Sequence, residues 1–305
     1  MSRATETRLI LGGHSFISQV GNDPPTSECE QRRIVAACLD HGIRWFDTTY
    51  QPERVALGNA LHALGRRDEA TILAWNFFTD FSPRDDCGLP EYYRPGHIDV
   101  ILEQLRTSYV DCLVVEPLDD AEQNRRQLEL MVEWRRKGYV RSLGVWVEQA
   151  PIEFRLNREP FRFAIMPFNI TTADAAPLFA AYKASGWETI ATSPFFRGWE
   201  LDRIIAEASA RGYGDKEVLR PVVADLMLRF SLFQRDVDRL IVAMRKEEWV
   251  ARNLESVSRG PLTAKERRWL LRLRGVPQQK GRWRQRLRGI RTRARRLWQH
   301  LFPRS

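Results

Sequence analysis

Two acids, Asp47 and Glu116, each stand directly after a short apolar run, Trp45-Phe46 in one case and Cys112-Leu113-Val114-Val115 in the other. Tyr50 follows Asp47 closely, and His14, Trp75, Asn76, Trp146 and Asn169 stand at or just past the ends of other short apolar runs. Two carboxylates among aromatic rings can divide into a proton donor and an acceptor, because burial raises one pKa more than the other. Asp47 and Glu116 are therefore the candidates for proton chemistry, and Tyr50, His14, Trp75, Asn76, Trp146 and Asn169 stand around them. Ser193 and Arg197 follow the seventh run and Arg245 the eighth, and they give one side of this set a polar, basic character. Taken singly, each residue also has a plain reading: Trp75 and Trp146 fill space, and Asp47 caps the next helix. Their common position at the ends of runs makes a site of them.

The runs read as strands alternating with helices from residue 8 to 258. The first strand is Arg8 to Gly13, and the first helix opens on a capping box, Ser27 with Glu30, before Ile34, Val35, Cys38 and Leu39. Gly42 ends that helix, and strand two runs to Asp47. Strands three to eight are read at 70–75, 112–115, 142–145, 163–166, 189–192 and 239–242. Helical spacing is read through Val55–Leu64, Ile98–Leu105, Glu122–Lys137, Ala175–Tyr182, Val222–Phe230 and Val250–Val257. Short apolar strands alternating with helices imply a parallel sheet covered by helices. Eight units in this length match one closed (β/α)8 barrel, whose chemistry gathers at the carboxyl ends of its strands. An open doubly wound sheet is the runner-up, but no G-x-G-x-x-G follows a strand.

The 305 residues suffice for a large buried core, and 10 Trp and 15 Phe supply apolar area to it. The net charge of +9 is unevenly spread. Residues 261–305 hold 15 Lys/Arg against the single acid Glu266, which leaves the first 260 residues at −5. The four cysteines form no C-x-x-C pair and no grouping with histidine, so no metal site is expected, and Cys38 and Cys112 read as core residues. No apolar run has the length of a membrane span, and the N-terminus lacks a signal-peptide pattern. A reducing, cytoplasmic setting is expected.

The stretch Phe46-Asp47-Thr48 to Gly58 resembles the signature of the aldo-keto reductases, in which strand two ends in Phe-Asp-Thr and leads through a Tyr to a Ser-Glu-x-x-x-Gly helix start. Tyr109 to Pro117 resembles the family's fourth strand, Ser142 to Trp146 the fifth, Phe163 to Asn169 the sixth and Ser193 to Gly198 the seventh. Met244-Arg245-Lys246 with Asn253 resembles the motif that holds the adenosine 2′-phosphate. The resemblance implies the barrel fold and NADP(H) as cofactor, bound at its phosphate and adenosine end by Ser193, Arg197, Arg245, Lys246 and Asn253. It also implies a tetrad of Asp, Tyr, Lys and His, with the Tyr as proton donor to a carbonyl. Asp47 matches the tetrad Asp. Tyr50 follows it across a loop shorter than the family's, Trp75 stands at the Lys position, and Glu116 stands at the His position. Glu occurs there in members that reduce the carbon–carbon double bond of enones. The positions that grip the nicotinamide carboxamide correspond to Trp146, Val147 and Ile165.

After Gly260-Pro261 a short helix is read from Leu262 to Leu273. Beyond it, residues 278–305 carry ten Lys/Arg and no acid, with Trp283, Leu287, Ile290, Ala294, Leu297, Trp298, Leu301 and Phe302 at helical spacing. Such a helix suits an anionic membrane surface, and packing on the barrel or on a second subunit is the competing reading. Nucleic acid ranks behind both, because nothing in the segment suggests sequence readout. The chain is thus read as a barrel, 1–260, with a basic helical extension, 261–305. Two functions follow. One is a divergent barrel whose strand-end pocket binds a small polar ligand or performs acid–base chemistry without standard hydride transfer. The other is an NADPH-dependent oxidoreductase that reduces a carbonyl or enone with Tyr50 or Glu116 as proton donor.

Overall fold

The computed structural model describes residues 7–18, 25–78, 89–147 and 159–274. Eight strands close into a barrel in sequence order: β1 (Leu9–Leu11), β2 (Trp45–Thr48), β3 (Thr71–Trp75), β4 (Val110–Val115), β5 (Val140–Trp146), β6 (Phe163–Pro167), β7 (Glu188–Thr192) and β8 (Arg239–Val242). Every neighbouring pair is parallel. Asp47 stands opposite Leu73 in the β2–β3 register, and Leu9 opposite Leu240 where β1 meets β8. Nine α-helices are described: α1 (Glu28–Asp40), α2 (Gln51–Leu64), α3 (His97–Leu105), α4 (Ala121–Arg136), α5 (Ala176–Ala184), α6 (Trp199–Ala210), α7 (Lys216–Leu232), α8 (Glu247–Ser258) and α9 (Ala264–Leu273).

Side chains alternate across each strand, which divides the core in two. Ile10, Trp45, Leu73, Trp75, Cys112 and Phe163 belong to the cluster inside the barrel. The alternate residues Leu9, Leu11, Phe46, Ile72, Leu113 and Val115 belong to the larger cluster beneath the helices. Each fully buried Leu, Ile or Phe there stabilises the fold by about 1.5–3 kcal/mol. Cys38 and Cys112 are wholly buried, and burial pushes their thiols up, so both behave as small apolar residues.

The helix boundaries follow local chemistry. The Ser27–Glu30 capping box starts α1, and Gly42, at φ +83°, turns the chain from its end toward β2. At Gly58 a Cβ would meet the Gln104 carbonyl oxygen at 2.4 Å, so glycine lets α2 lie close against α3.

Several elements differ from the sequence expectation. Helix α7 begins at Lys216, well ahead of Val222, and runs through Pro221. The sequence reading has no helix at α6, although Leu201, Ile204, Ile205 and Ala208 are buried at plain helical spacing. Helix α9 starts at Ala264 because Thr263 and Glu266 form a capping box. It packs against α7 and α6, with Leu270 and Leu273 wholly buried. Arg229 of α7 reaches Glu266 at 3.0 Å and donates to the carbonyls of Gly260 and Pro261. Residues 148–158, between β5 and β6, and the basic stretch 278–305 lie outside the described residues.

Candidate functional site

Asp47 lies inside the barrel, on the same face of β2 as Trp45, and is 5% exposed. Trp75, at the end of neighbouring β3, donates its Nε1–H to Asp47 Oδ1 at 2.6 Å. The Asp47 carboxyl is pushed up to about 7, first by burial and then by the like charge of Glu53. The Trp75 hydrogen bond and the charge of His14 pull the other way without offsetting burial. The result is a carboxyl that exchanges its proton near neutrality.

Three further rings gather around this pair. Trp146, at the end of β5, packs edge-on against Trp75 with centroids 5.8 Å apart. Tyr50 precedes α2, is buried in the same cluster as Trp75, and lies 5.7 Å from the His14 ring and 5.4 Å from Phe77. His14 sits in the turn after β1 (Gly13–Ser15), with its side chain 27% exposed. The structure thus brings His14, Asp47, Tyr50, Trp75 and Trp146 together.

Asn76 and Asn169 are spent on the frame. The Asn76 amide donates to the carbonyls of Glu91 and Glu116 and accepts from the Glu116 N–H at 2.7 Å. That bracket ties the end of β3 to the end of β4 and fixes the backbone of Glu116. The Asn169 amide donates to the Ser193 carbonyl at 2.9 Å, and its oxygen accepts from Thr171 and from the Thr172 N–H. It binds the end of β6 to the end of β7. Both residues are wholly buried, and their amides bond mainly to backbone groups.

The basic set lies around the ends of β7 and β8. Ser193, Phe196 and Arg197 all have positive φ (59°, 46° and 58°), so the loop into α6 is held in a sparsely populated conformation. Arg197 lies 5.9 Å from the Trp199 ring centroid. Arg245 donates to the carbonyls of His14 and Ile17 and so braces the turn after β1. Lys246 precedes α8 and lies over the Trp249 ring, and Asn253 is half-buried on that helix.

Two neighbours were absent from the sequence-based candidates. Glu53, wholly buried, accepts from the backbone N–H groups of Thr49 and Tyr50 through Oε2 and faces His14 Nδ1 at 3.1 Å through Oε1. Gly13 makes room for it, since a Cβ there would lie 2.3 Å from Glu53 Oε2. Arg54, also wholly buried, donates to Thr49 O and Phe77 O at 2.9 Å and to Gln104 Oε1 at 2.6 Å. Burial lowers its pKa to about 10, which leaves it charged. It ties the loops after β2 and β3 to α3. A Glu-Arg pair at a helix start ordinarily reads as solvated charge, so only the fold reveals that both are inside. No group of three or more His, Cys, Asp or Glu suited to a metal occurs among the described residues.

Comparison with known proteins fits this architecture: the sequence profile of the Aldo/keto reductase family matches residues 8–270. The chain belongs to that family. Among solved structures it is similar to aldo-keto reductase AKR11C1 from Bacillus halodurans in its holo form, at 21% identity, covering 89% of this chain and 94% of that one, with a TM-score of 0.66. It is also similar to glycerol dehydrogenase AKR11B4 from Gluconobacter oxydans, at 18% identity, covering 89% and 93%, with a TM-score of 0.66. No curated protein matches the sequence. At these identities the structural likeness establishes the shared barrel fold. The family match ends within α9, which therefore falls largely inside the matched region.

Proposed function

We propose that this aldo-keto reductase family barrel uses its strand-end pocket to bind a small polar ligand and to perform acid–base chemistry on it through Asp47, without standard hydride transfer. The observation that carries the reading is the 2.6 Å hydrogen bond from Trp75 to Asp47. At the position where the resemblance implies a lysine, a neutral ring donor meets the carboxylate. An ammonium would hold Asp47 ionised and lower the proton affinity of a neighbouring phenol; an indole N–H does much less of either. Asp47 is left with a proton to give near pH 7.

The residues around the cofactor's expected reacting end support the same reading. Val147 and Ile165 are buried apolar side chains, and Trp146 has one N–H to offer. That donor set does not fit a nicotinamide carboxamide. At the phosphate and adenosine end, Ser193, Arg197, Arg245, Lys246 and Asn253 remain the candidate contacts. Arg245 already serves the His14 and Ile17 carbonyls, and Glu247 and Glu248 follow Lys246 in the first turn of α8.

The second reading, NADPH-dependent reduction of a carbonyl or enone with Tyr50 or Glu116 as proton donor, rests on family membership and on Tyr50 lying in the Trp75 cluster. Steady-state assays of NADPH oxidation with aldehydes, ketones and enones separate the two. The first reading expects no turnover above that of an Asp47→Asn variant. Turnover that is lost in Tyr50→Phe or Glu116→Gln would replace it with the second.

A further inference from the structure

Glu53 is wholly buried at the start of α2, yet only one of its carboxylate oxygens is used by the helix start. The other, Oε1, points to His14 Nδ1 at 3.1 Å and has no hydrogen bond of acceptable angle. The distance is that of an ion pair, with the N–H not aligned on Oε1. Hydrogen bonds between a base and the group that orients it are often misaligned until a ligand is bound. The charged and titratable groups facing Glu53 are His14 from the turn after β1, Asp47 from β2, and Tyr50 and Arg54 flanking it at the helix start. Arg54 is turned away, onto the carbonyls of Thr49 and Phe77. The imidazole alone stands both against the buried carboxylate and in contact with solvent.

We infer that His14, oriented by the buried Glu53, is a second proton-transfer group of the site. Glu53 acts through the imidazole and is a positioning residue. By accepting from Nδ1–H it selects the tautomer that leaves Nε2 unprotonated and available as a base. A ligand in the pocket then meets an acid and a base. Nε2 takes a proton and the ligand keeps the electron pair, while neutral Asp47 gives its own proton to another ligand atom. No oxidant or reductant is consumed. Gly13 is part of the device, because any side chain there displaces the Glu53 carboxylate. The inference rests on the acid–base reading of Asp47 and extends it.

The test uses the full-length protein with 15N-labelled histidine, the His14 signal being assigned by its loss in His14→Gln. Wild type is expected to show the Nδ1–H tautomer in its neutral form, and diethyl pyrocarbonate to acylate Nε2 readily. Glu53→Gln keeps an oxygen for the Thr49 and Tyr50 N–H groups but offers an NH2 to Nδ1. It should switch the tautomer to Nε2–H and slow acylation by about tenfold. The Asp47 midpoint, followed by 13C NMR of its carboxyl, should fall in the same variant, because a like charge is removed. If Glu53→Gln does not fold, His14→Gln serves instead and should raise the Asp47 midpoint. An unchanged tautomer, acylation rate and Asp47 midpoint in a folded Glu53→Gln would make Glu53 a helix cap only and overturn the inference. A wild-type Asp47 midpoint in the ordinary carboxylate range, with His14 still responding to Glu53, would overturn the acid–base reading of Asp47 and leave the His14–Glu53 pair standing.

Discussion

Asp47 costs the protein stability in order to keep its proton. Its carboxyl titrates near 7 when folded and near the ordinary 3.9 when unfolded. Between those values the native state binds the extra proton, so stability falls as pH rises from about 4 to about 7 and is level above. The displacement sets an upper bound of about 4 kcal/mol on that loss. Asp47→Asn, which can still accept from Trp75, should therefore raise the melting temperature at pH 8 and flatten the acid-side dependence. A variant less stable than wild type at pH 8 would mean that Asp47 is ionised at little cost. Trp75→Phe removes the one hydrogen bond that favours the charged form, and should move the Asp47 midpoint further up in a 13C NMR titration.

At the scale of elements, the loops that carry the site are held by buried side chains as well as by their own backbone turns. Arg54 joins the loops after β2 and β3 to α3 through its contacts with Thr49, Phe77 and Gln104. Arg54→Met leaves two buried carbonyls and the Gln104 side chain without that partner, and should cost about 3 kcal/mol in urea unfolding. Arg229→Ala should free α9 from α7, visible as faster amide exchange across Ala264–Leu273 with the rest of the barrel unchanged. The strands were legible in the sequence because short apolar runs between helical repeats have few other readings in a chain of this length. Their ends were read short at β4 and β5, where polar residues such as Asp111 and Arg141 take part in the ladder from the barrel's amino-terminal side. Glu53 and Arg54 escaped notice for the opposite reason. Charged residues at a helix start normally face water, and no local pattern separates them from a pair sealed beneath two loops.

For the whole molecule, the family and the face of the barrel that could bear chemistry were readable from Phe46-Asp47-Thr48 and the motifs at the later strand ends. How those residues act was not, since it depends on which side chains meet across strands. The Trp75–Asp47 bond joins β3 to β2, and the His14–Glu53 contact joins the turn after β1 to α2. Among the described residues no helix is long and apolar enough to cross a membrane. The basic segment 278–305 is expected to carry any attachment to an anionic bilayer surface, so removing it should abolish co-sedimentation with phosphatidylserine vesicles at low salt. Equal sedimentation with and without it would assign the segment to packing instead.

The central claim is that the Asp47 pocket works without a nicotinamide. Trp75 and Trp146 pack together beside Asp47, so titration of the full-length protein with NADPH, read by tryptophan fluorescence, tests it most directly. The account predicts no saturable change up to millimolar cofactor. Saturable quenching in the micromolar range would contradict it.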